Sequence, residues 1–262
     1  MNYFKNVVLT ILIFLGSQLI TAVVLSAIFS SFNWSQTVLL GLALLLADII
    51  ACPIVHYILR TTQPRYLLRA SFTQTALSKW KGELLIFLGA VVGIFGMNLL
   101  QEQLNLPNPT LDQVVELAFN PLGVISICFV GPICEEFIFR EGIQGYLMRK
   151  GIGPWKAILI SAICFAFVHM NAAQIPFAFA VGIIMSIAYW KTGNLLLCSL
   201  IHIVNNLLSV VFLWINGKES VNDRMDEVLG GSTNAWILFA GSIVVCVILF
   251  HYISKQKSIA EA

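Results

Sequence analysis

The stretch PLGVISICFVGPICEEFIFR, residues 121–140, is an apolar run that ends in two adjacent carboxyl groups and an arginine. A run of about 20 mostly apolar residues is long enough to cross a bilayer as a helix. Ionisable groups within such a helix cost about 2.5–3.5 kcal/mol each on insertion scales, so by default they suggest a functional site. The stretch therefore predicts both a membrane-spanning helix and the place where its chemistry lies.

The rest of the chain has the same apolar character. Of its 262 residues, 58% are hydrophobic and only 11% are charged, with a mean hydropathy of +0.87, whereas a soluble domain carries about 25% charged residues. Lipid offers backbone amides no partners, so such a chain spans the membrane as helices. We predict an all-α, polytopic transmembrane bundle, a single domain over residues 1–262, with about eight spans: 7–29, 38–59, 84–100, 117–139, 156–170, 174–190, 195–215 and 236–253.

The basic residues predict the orientation of the bundle. If the N-terminus is cytoplasmic, Lys218 and Arg224 are the two of the 15 Lys and Arg in outer segments, and the other 13 lie at or near the inner side. Because cytoplasmic loops carry an excess of Lys and Arg, both termini of this multi-pass cell-membrane protein are predicted to be cytoplasmic. The basic segment 60–83 is expected to lie along the anionic inner surface. The net charge of +2 itself says nothing about nucleic acid, and no nucleic acid partner is expected for this membrane-embedded chain.

The two glutamates of the opening stretch differ in their expected partners. Glu136 and Arg140 are four residues apart, so they share one helix face in the favourable order for an intrahelical ion pair. Glu135 is turned by about 100° from Glu136 and is left free to point elsewhere. An alternative is that both glutamates pair with Arg140 and a neighbouring helix simply to hold the bundle together.

A histidine on the next helix is predicted to lie level with Glu135. The segment FAFVHMN places His169 at the far end of an apolar helix, four residues after Phe165. The turn MRKGIGPWK separates the two helices, and Glu135 and His169 are each 17 residues from its centre at Ile152. In an antiparallel hairpin, equal separation from the turn places both side chains at the same depth. The alternative is a histidine that only packs and forms a hydrogen bond.

A third cluster, LIHIVNNLL, carries His202 and two asparagines. Asn206 lies on the same face as His202 one turn later, and Asn205 is close enough to share that face. The residues alone do not choose between the two asparagines. Hydrogen bonding between helices is again the alternative, since His and Asn commonly serve it in membrane bundles.

Together EEFIFR, FAFVH and HIVNN match E-E-x-x-x-R, F-x-x-x-H and H-x-x-x-N, in that order, each on its own helix. This resembles the CAAX-protease and bacteriocin-processing (CPBP, or Abi) family of intramembrane endopeptidases, which is related to the prenyl-protein protease of the endoplasmic reticulum. The resemblance covers roughly residues 117–210, the expected catalytic core. It implies that Glu135 is the general base and that His169 helps to hold the attacking water. His202 and Asn206 would stabilise the oxyanion, and Glu136 and Arg140 would support the site.

These residue types suit amide hydrolysis, which needs a base to deprotonate water and donors directed at the developing negative charge. The substrate would be a membrane-associated peptide or protein, cleaved in a cavity expected to open toward the cytoplasmic leaflet of the lipid bilayer. Whether a cofactor takes part stays open. Glu135, His169 and His202 are also a candidate ligand set for a divalent metal ion such as Zn²⁺, although the chain has no H-E-x-x-H motif.

The sequence also permits a protein of another class. In a proton-coupled transporter, Asp48, Glu135, Glu136 and His169 would form a relay. That function predicts a titratable path across the whole bilayer and two similar halves, and no repeat is visible in the chain. Asp48 is better explained by the transporter; in a protease it is interpreted as a helix–helix hydrogen bond. A third alternative is an inactive relative that only binds a partner.

Overall fold

The computed structural model describes residues 3–29, 34–62, 80–104, 106–219 and 225–254. Within these ranges the chain is helical and contains no strand. Its helical segments are α1 (Tyr3–Phe29), α2 (Gln36–Thr62), α3 (Trp80–Leu104), α4 (Leu111–Ala118), α5 (Pro121–Arg149), α6 (Pro154–Phe167), α7 (Gln174–Thr192), α8 (Leu195–Asn216), α9 (Met225–Val228) and α10 (Ser232–Ser254).

Seven of these helices are long and apolar enough to cross a membrane: α1, α2, α3, α5, α7, α8 and α10. The predicted polytopic helical bundle is therefore confirmed. The remaining predicted span, 156–170, corresponds to α6, an apolar helix of 14 residues that ends at Phe167. The orientation of the termini stays a prediction. Most of the basic segment 60–83, residues 63–79, lies outside the described residues.

Helix α5 is the centre of the bundle. It packs against α1 and α2 on one side and against α6 and α8 on the other, while α3 contacts α7, α8 and α10. The helix begins where the sequence supplies its start signals, because Asn120 accepts hydrogen bonds from the amides of Leu122 and Gly123, and Pro121 occupies the first turn. Two π-helical segments, Ser126–Val130 and Phe137–Gly145, interrupt it. Such segments are frequent at functional sites.

Two glycines allow α2 to approach α5 closely. A Cβ atom built on Gly41 would lie 3.0 Å from the backbone nitrogen of Gly123. Small residues at helix contacts permit this backbone-to-backbone approach in membrane bundles. Asp48 follows Gly41 by two turns of α2, so the contact also fixes Asp48 beside the central helix.

Candidate active site

Glu136 belongs to a fully buried ion pair on α5. Its side chain and that of Arg140 are both 0% exposed, and Nε of Arg140 donates to Oε2 of Glu136 at 2.8 Å. The pair expected from the four-residue spacing is thus present. A buried charge is tolerated when it is both paired and hydrogen-bonded. Nε and Nη1 of Arg140 are hydrogen-bonded, whereas Nη2 has no hydrogen-bond partner among the described residues.

Arg140 is held by two neighbouring helices, α6 and α7. Its Nη1 donates to the hydroxyl oxygens of Ser161 on α6, at 3.2 Å, and Ser186 on α7, at 3.0 Å. The guanidinium also lies over the ring of Phe165, 5.0 Å from its centroid, a favourable cation–π position. We call Glu136, Arg140, Ser161 and Ser186 the ion-pair cluster.

His202 joins the ion-pair cluster to the second glutamate. Its Nδ1 lies 3.1 Å from Oε1 of Glu136. An ionised carboxylate only accepts hydrogen bonds, so Nδ1 is assigned the proton. The other ring nitrogen, Nε2, is 4.0 Å from Oε2 of Glu135. The buried carboxylate of Glu136 therefore orients the imidazole so that Nε2 faces Glu135.

Glu135 has a different environment from its neighbour. Its side chain is 23% exposed, and it lines a cavity between the helices. Arg140 is already engaged by Glu136, so Glu135 does not share that guanidinium. The carboxyl group is left accessible to a small molecule, which is the property that a general base needs.

His169 follows the last residue of α6 in a turn. Its Nδ1 lies 2.8 Å from the carbonyl oxygen of Phe165, so Nδ1 donates and Nε2 is left for other partners. The next residue, Met170, has a left-handed backbone with φ of 47°. Asn171 holds this turn, because its Nδ2 donates to Asn108 Oδ1 and Thr110 Oγ1, both at 2.7 Å. The position of His169 is thus fixed from both sides.

Asn206 is anchored by one of its two amide hydrogens. Nδ2 donates to the carbonyl oxygen of Ile127 in the first π-helical segment of α5, at 2.7 Å, while Oδ1 accepts from Asn205 Nδ2 at 2.9 Å. A carboxamide nitrogen carries two hydrogens, so the second remains available. Asn205 orients Asn206 and lines the same cavity.

The cavity has a volume of about 440 Å³ and is lined by all four residues predicted to be catalytic: Glu135, His169, His202 and Asn206. Helix α5, helix α8 and the turn after α6 bring these side chains to the cavity. A volume of this size is typical of small-molecule and peptide side-chain sites.

The cavity lies in the half of the bundle that contains the segment 106–120, because Gln101, Asn108 and Gln174 also line it. The basic turn 150–153 is at the opposite end of α5. The cavity therefore lies on the outer side if both termini are cytoplasmic. The two expectations, cytoplasmic termini and a cavity opening toward the cytoplasm, are incompatible in this structure. The conflict arises because the cavity extends from Glu135, at the middle of α5, and His202, in the first half of α8, toward the helix ends remote from the basic turn.

Several residues have a place in the site that the sequence did not predict, although two of them, Phe165 and Asp48, were noted in the sequence. Phe165 contacts both histidines edge-on, with centroids 5.1 Å from His169 and 5.8 Å from His202. The four-residue spacing between Phe165 and His169 was a sequence signal for this contact. The two serines that bind Arg140 are not marked by any pattern in the sequence. Asp48 also lines the cavity. Its interpretation as a helix–helix hydrogen bond is not supported at Oδ1, which has no partner among the described residues.

Glu135, His169 and His202 are the candidate ligands for a divalent metal ion. Within the described ranges, no three or more His, Cys, Asp or Glu side chains are grouped so that they could hold a metal ion. The Nδ1 atoms of His169 and His202 are engaged by a carbonyl and a carboxylate respectively, which leaves each Nε2 free, so it is the lack of grouping and not the hydrogen bonding that argues against a shared ion. As arranged, Glu135, His169 and His202 do not fit a shared ion.

Comparison with known proteins agrees with the motifs. Residues 117–208 match the family model described as "Type II CAAX prenyl endopeptidase Rce1-like". The chain is 30% identical over 115 residues to "Membrane-embedded CAAX protease MroQ" of Staphylococcus aureus (strain USA300), covering 42% of this chain and 47% of that protein. It is 31% identical over 114 residues to "Putative membrane peptidase YdiL" of Bacillus subtilis (strain 168), covering 42% and 46%. No solved structure shows a significant match.

These alignments span about half the length of the relatives that they match. The segment that matches the family model, residues 117–208, contains all three motifs. The resemblance to the CAAX-protease family is therefore confirmed over this segment, and the comparisons support a membrane protease.

Proposed function

We propose that this chain is an intramembrane endopeptidase that hydrolyses a membrane-associated peptide or protein with a water molecule activated by Glu135. The observation that carries the proposal is the convergence of Glu135, His169, His202 and Asn206 on one cavity of about 440 Å³. These residues come from three motifs in a segment that matches a peptidase family. The cavity admits water and an extended peptide, whereas the ion-pair cluster beside it is closed.

Glu135 acts as the general base. Its carboxylate takes a proton from a water molecule, and the resulting hydroxide attacks the carbonyl carbon of the scissile bond. His169 accepts a hydrogen bond from this water through Nε2, because its Nδ1 is committed to the Phe165 carbonyl. When the tetrahedral intermediate collapses, the C–N bond breaks and the proton passes from Glu135 to the leaving amine.

His202 and Asn206 stabilise the oxyanion that forms on the carbonyl oxygen. The free amide hydrogen of Asn206 and the Nε2–H of the His202 imidazolium are the donors. Donors held in place before the reaction need no reorganisation when charge develops, which makes such sites effective. Glu136 and Arg140 are positioning residues, because they hold His202 and do not reach the substrate.

No step of this mechanism is assigned to a metal ion, since the three side chains considered as ligands do not form a shared site. Elemental analysis of the purified protein tests this assignment directly. A stoichiometric divalent ion that Glu135→Gln or His169→Ala removes would restore the three-ligand hypothesis.

The decisive experiment is cleavage of a panel of membrane peptides by purified protein in lipid. We expect Glu135→Gln to lower kcat by about 10²–10⁴-fold, the range for loss of a general base. Glu116→Gln is a matched control, because Glu116 is exposed and pairs with Lys218 outside the cavity. It should retain wild-type activity.

Cleavage that persists in Glu135→Gln would overturn the assignment of the base. A wild-type protein that cleaves no peptide but moves a solute with protons, and loses this flux in Glu135→Gln, would favour the transporter. Asp48 and Glu135 would then share a relay along the cavity.

A further inference from the structure

Asp48 is a buried acidic side chain that the proposed mechanism does not use. It lies near the middle of α2, is only 4% exposed, and lines the cavity together with Glu135. Its Oδ1 has no hydrogen-bond partner among the described residues. A buried carboxyl group without a hydrogen-bond partner costs free energy. At a binding cavity, a ligand that donates a hydrogen bond to this group would remove that cost.

The position of Asp48 is defined by a glycine on α5. A Cβ atom built on Gly131 would lie 3.5 Å from Oδ2 of Asp48. Gly131 precedes Glu135 by four residues within the α-helical segment Gly131–Glu136, so it lies one turn away on the same face. Asp48 therefore lies against α5 about one turn from the level of Glu135, and both side chains line the same cavity.

The charges around the cavity are unbalanced. None of the described residues that line it is Lys or Arg, while Asp48 and Glu135 are both acidic. The nearest guanidinium, that of Arg140, is engaged by Glu136, Ser161 and Ser186. The other cationic group at the cavity, the imidazole of His202, faces Glu135 and Glu136, so the described wall offers the Asp48 carboxyl group no cation of its own. Electrostatic complementarity favours a positively charged occupant.

We propose that Asp48 is a specificity-determining residue that binds a Lys or Arg side chain of the substrate next to the scissile bond. This inference rests on the proposed endopeptidase function. One helical turn of about 5.4 Å separates the levels of Gly131 and Glu135. The four-methylene stem of a lysine spans this distance when its peptide carbonyl faces Glu135. The ammonium group then reaches Oδ1 of Asp48.

The test uses peptides that differ at a single residue. In a peptide that the wild type cleaves, Lys, Met or Glu is placed in turn at each position flanking the scissile bond. At one position we expect Lys to raise kcat/KM at least about tenfold over Met, with Glu cleaved most slowly, as for a desolvated charge pair. Asp48→Asn should abolish the preference for Lys while it still cleaves the Met peptide. Asp112→Asn, the same change at an exposed residue, should keep the preference.

A binding assay separates this inference from the proposed function. Dissociation constants of the Lys, Met and Glu peptides are measured with Glu135→Gln protein, with and without Asp48→Asn. Tighter binding of the Lys peptide that depends on Asp48 supports the subsite even if no cleavage is detected. Equal binding of all three peptides, or a Lys-to-Met ratio unchanged by Asp48→Asn in both assays, would overturn it.

Discussion

Glu135 and Glu136 are adjacent in the chain, yet they belong to two regions with opposite properties. Glu136 lies in the ion-pair cluster, where it is 0% exposed and contacts Arg140 and His202. Glu135 faces the cavity, where its side chain is 23% exposed and its closest cationic partner, His202, is 4.0 Å away. The difference follows from one rotation along α5, which directs successive side chains to different neighbours.

The two regions have different roles: the ion-pair cluster holds the site in place, and the residues around the cavity are proposed to react with the substrate. In the ion-pair cluster the charge of Arg140 is paired with Glu136 and bound by two hydroxyls, and the whole group is buried away from the cavity, so a substrate does not reach it. Around the cavity, polar groups keep an unused donor or acceptor, as Asn206 and Asp48 do. His202 belongs to both regions, since each ring nitrogen faces one of the glutamates. Changes in the first region should alter stability, and changes in the second should alter catalysis.

The largest effect is expected when Arg140 is replaced by Met, which keeps a long side chain but removes the charge. Glu136 would then be a buried carboxylate without its cation, and loss of one partner of a buried pair costs about 3–5 kcal/mol. We expect the free energy of unfolding, measured by equilibrium denaturation in lipid or detergent, to fall by that amount.

A double variant shows whether the cost arises from the orphaned charge. Glu136→Gln combined with Arg140→Met removes both charges and should recover most of the lost stability, because a buried pair replaced as a unit is often nearly neutral. Activity should not return, since His202 loses the carboxylate that orients it. An Arg140→Met protein as stable as the wild type would contradict the division into two regions.

The second-largest effect is expected among the residues that line the cavity. Asn206→Ala removes the proposed oxyanion donor and should lower kcat by about 10²–10³-fold, the range for loss of one such donor. Asn205→Ala is the matched control, because Asn205 donates to Asn206 Oδ1 and is not assigned to the oxyanion. Its effect on kcat should be about tenfold or less, measured with the same peptide. Equal losses in both variants would leave Asn206 with no special role.

Most of the fold was predictable from the sequence because hydrophobic length is a local property. Seven predicted spans appear as long apolar helices. The exception is α6, where the prediction ran to residue 170 but the helix ends at Phe167. The backbone there turns because Asn171 binds Asn108 and Thr110, partners more than 60 residues away. Contacts at that separation leave no signal in local hydropathy.

The site was predictable where helical spacing alone decides the geometry. The Glu136–Arg140 pair spans four residues on α5, and the hydrogen bond from His169 to the Phe165 carbonyl spans four residues across the end of α6. The acceptors of Arg140 were not predictable, since Ser161 and Ser186 lie on other helices and serine is common in membrane spans. The relation of Asp48 to the cavity likewise depends on how α2 packs against α5.

The smallest effect is expected at the edge of the ion-pair cluster. Ser186→Ala removes a hydroxyl that accepts a hydrogen bond from Arg140 Nη1. That nitrogen keeps its bond to Ser161, so the loss should be at the lower end of the range for a buried donor, about 1 kcal/mol. The measurement is again the free energy of unfolding, and kcat should change little because the cavity is untouched.

Ser199 on α8 provides the matched control for Ser186. It is also buried, at 2% exposure, but its hydroxyl has no hydrogen-bond partner among the described residues. Ser199→Ala should therefore leave the free energy of unfolding within about 0.5 kcal/mol of the wild type, as for substitutions that break no specific contact. If the two variants lose the same stability, burial alone accounts for the cost. If only Ser186→Ala is destabilised, the hydroxyl stabilises Arg140, and the ion-pair cluster extends to α7.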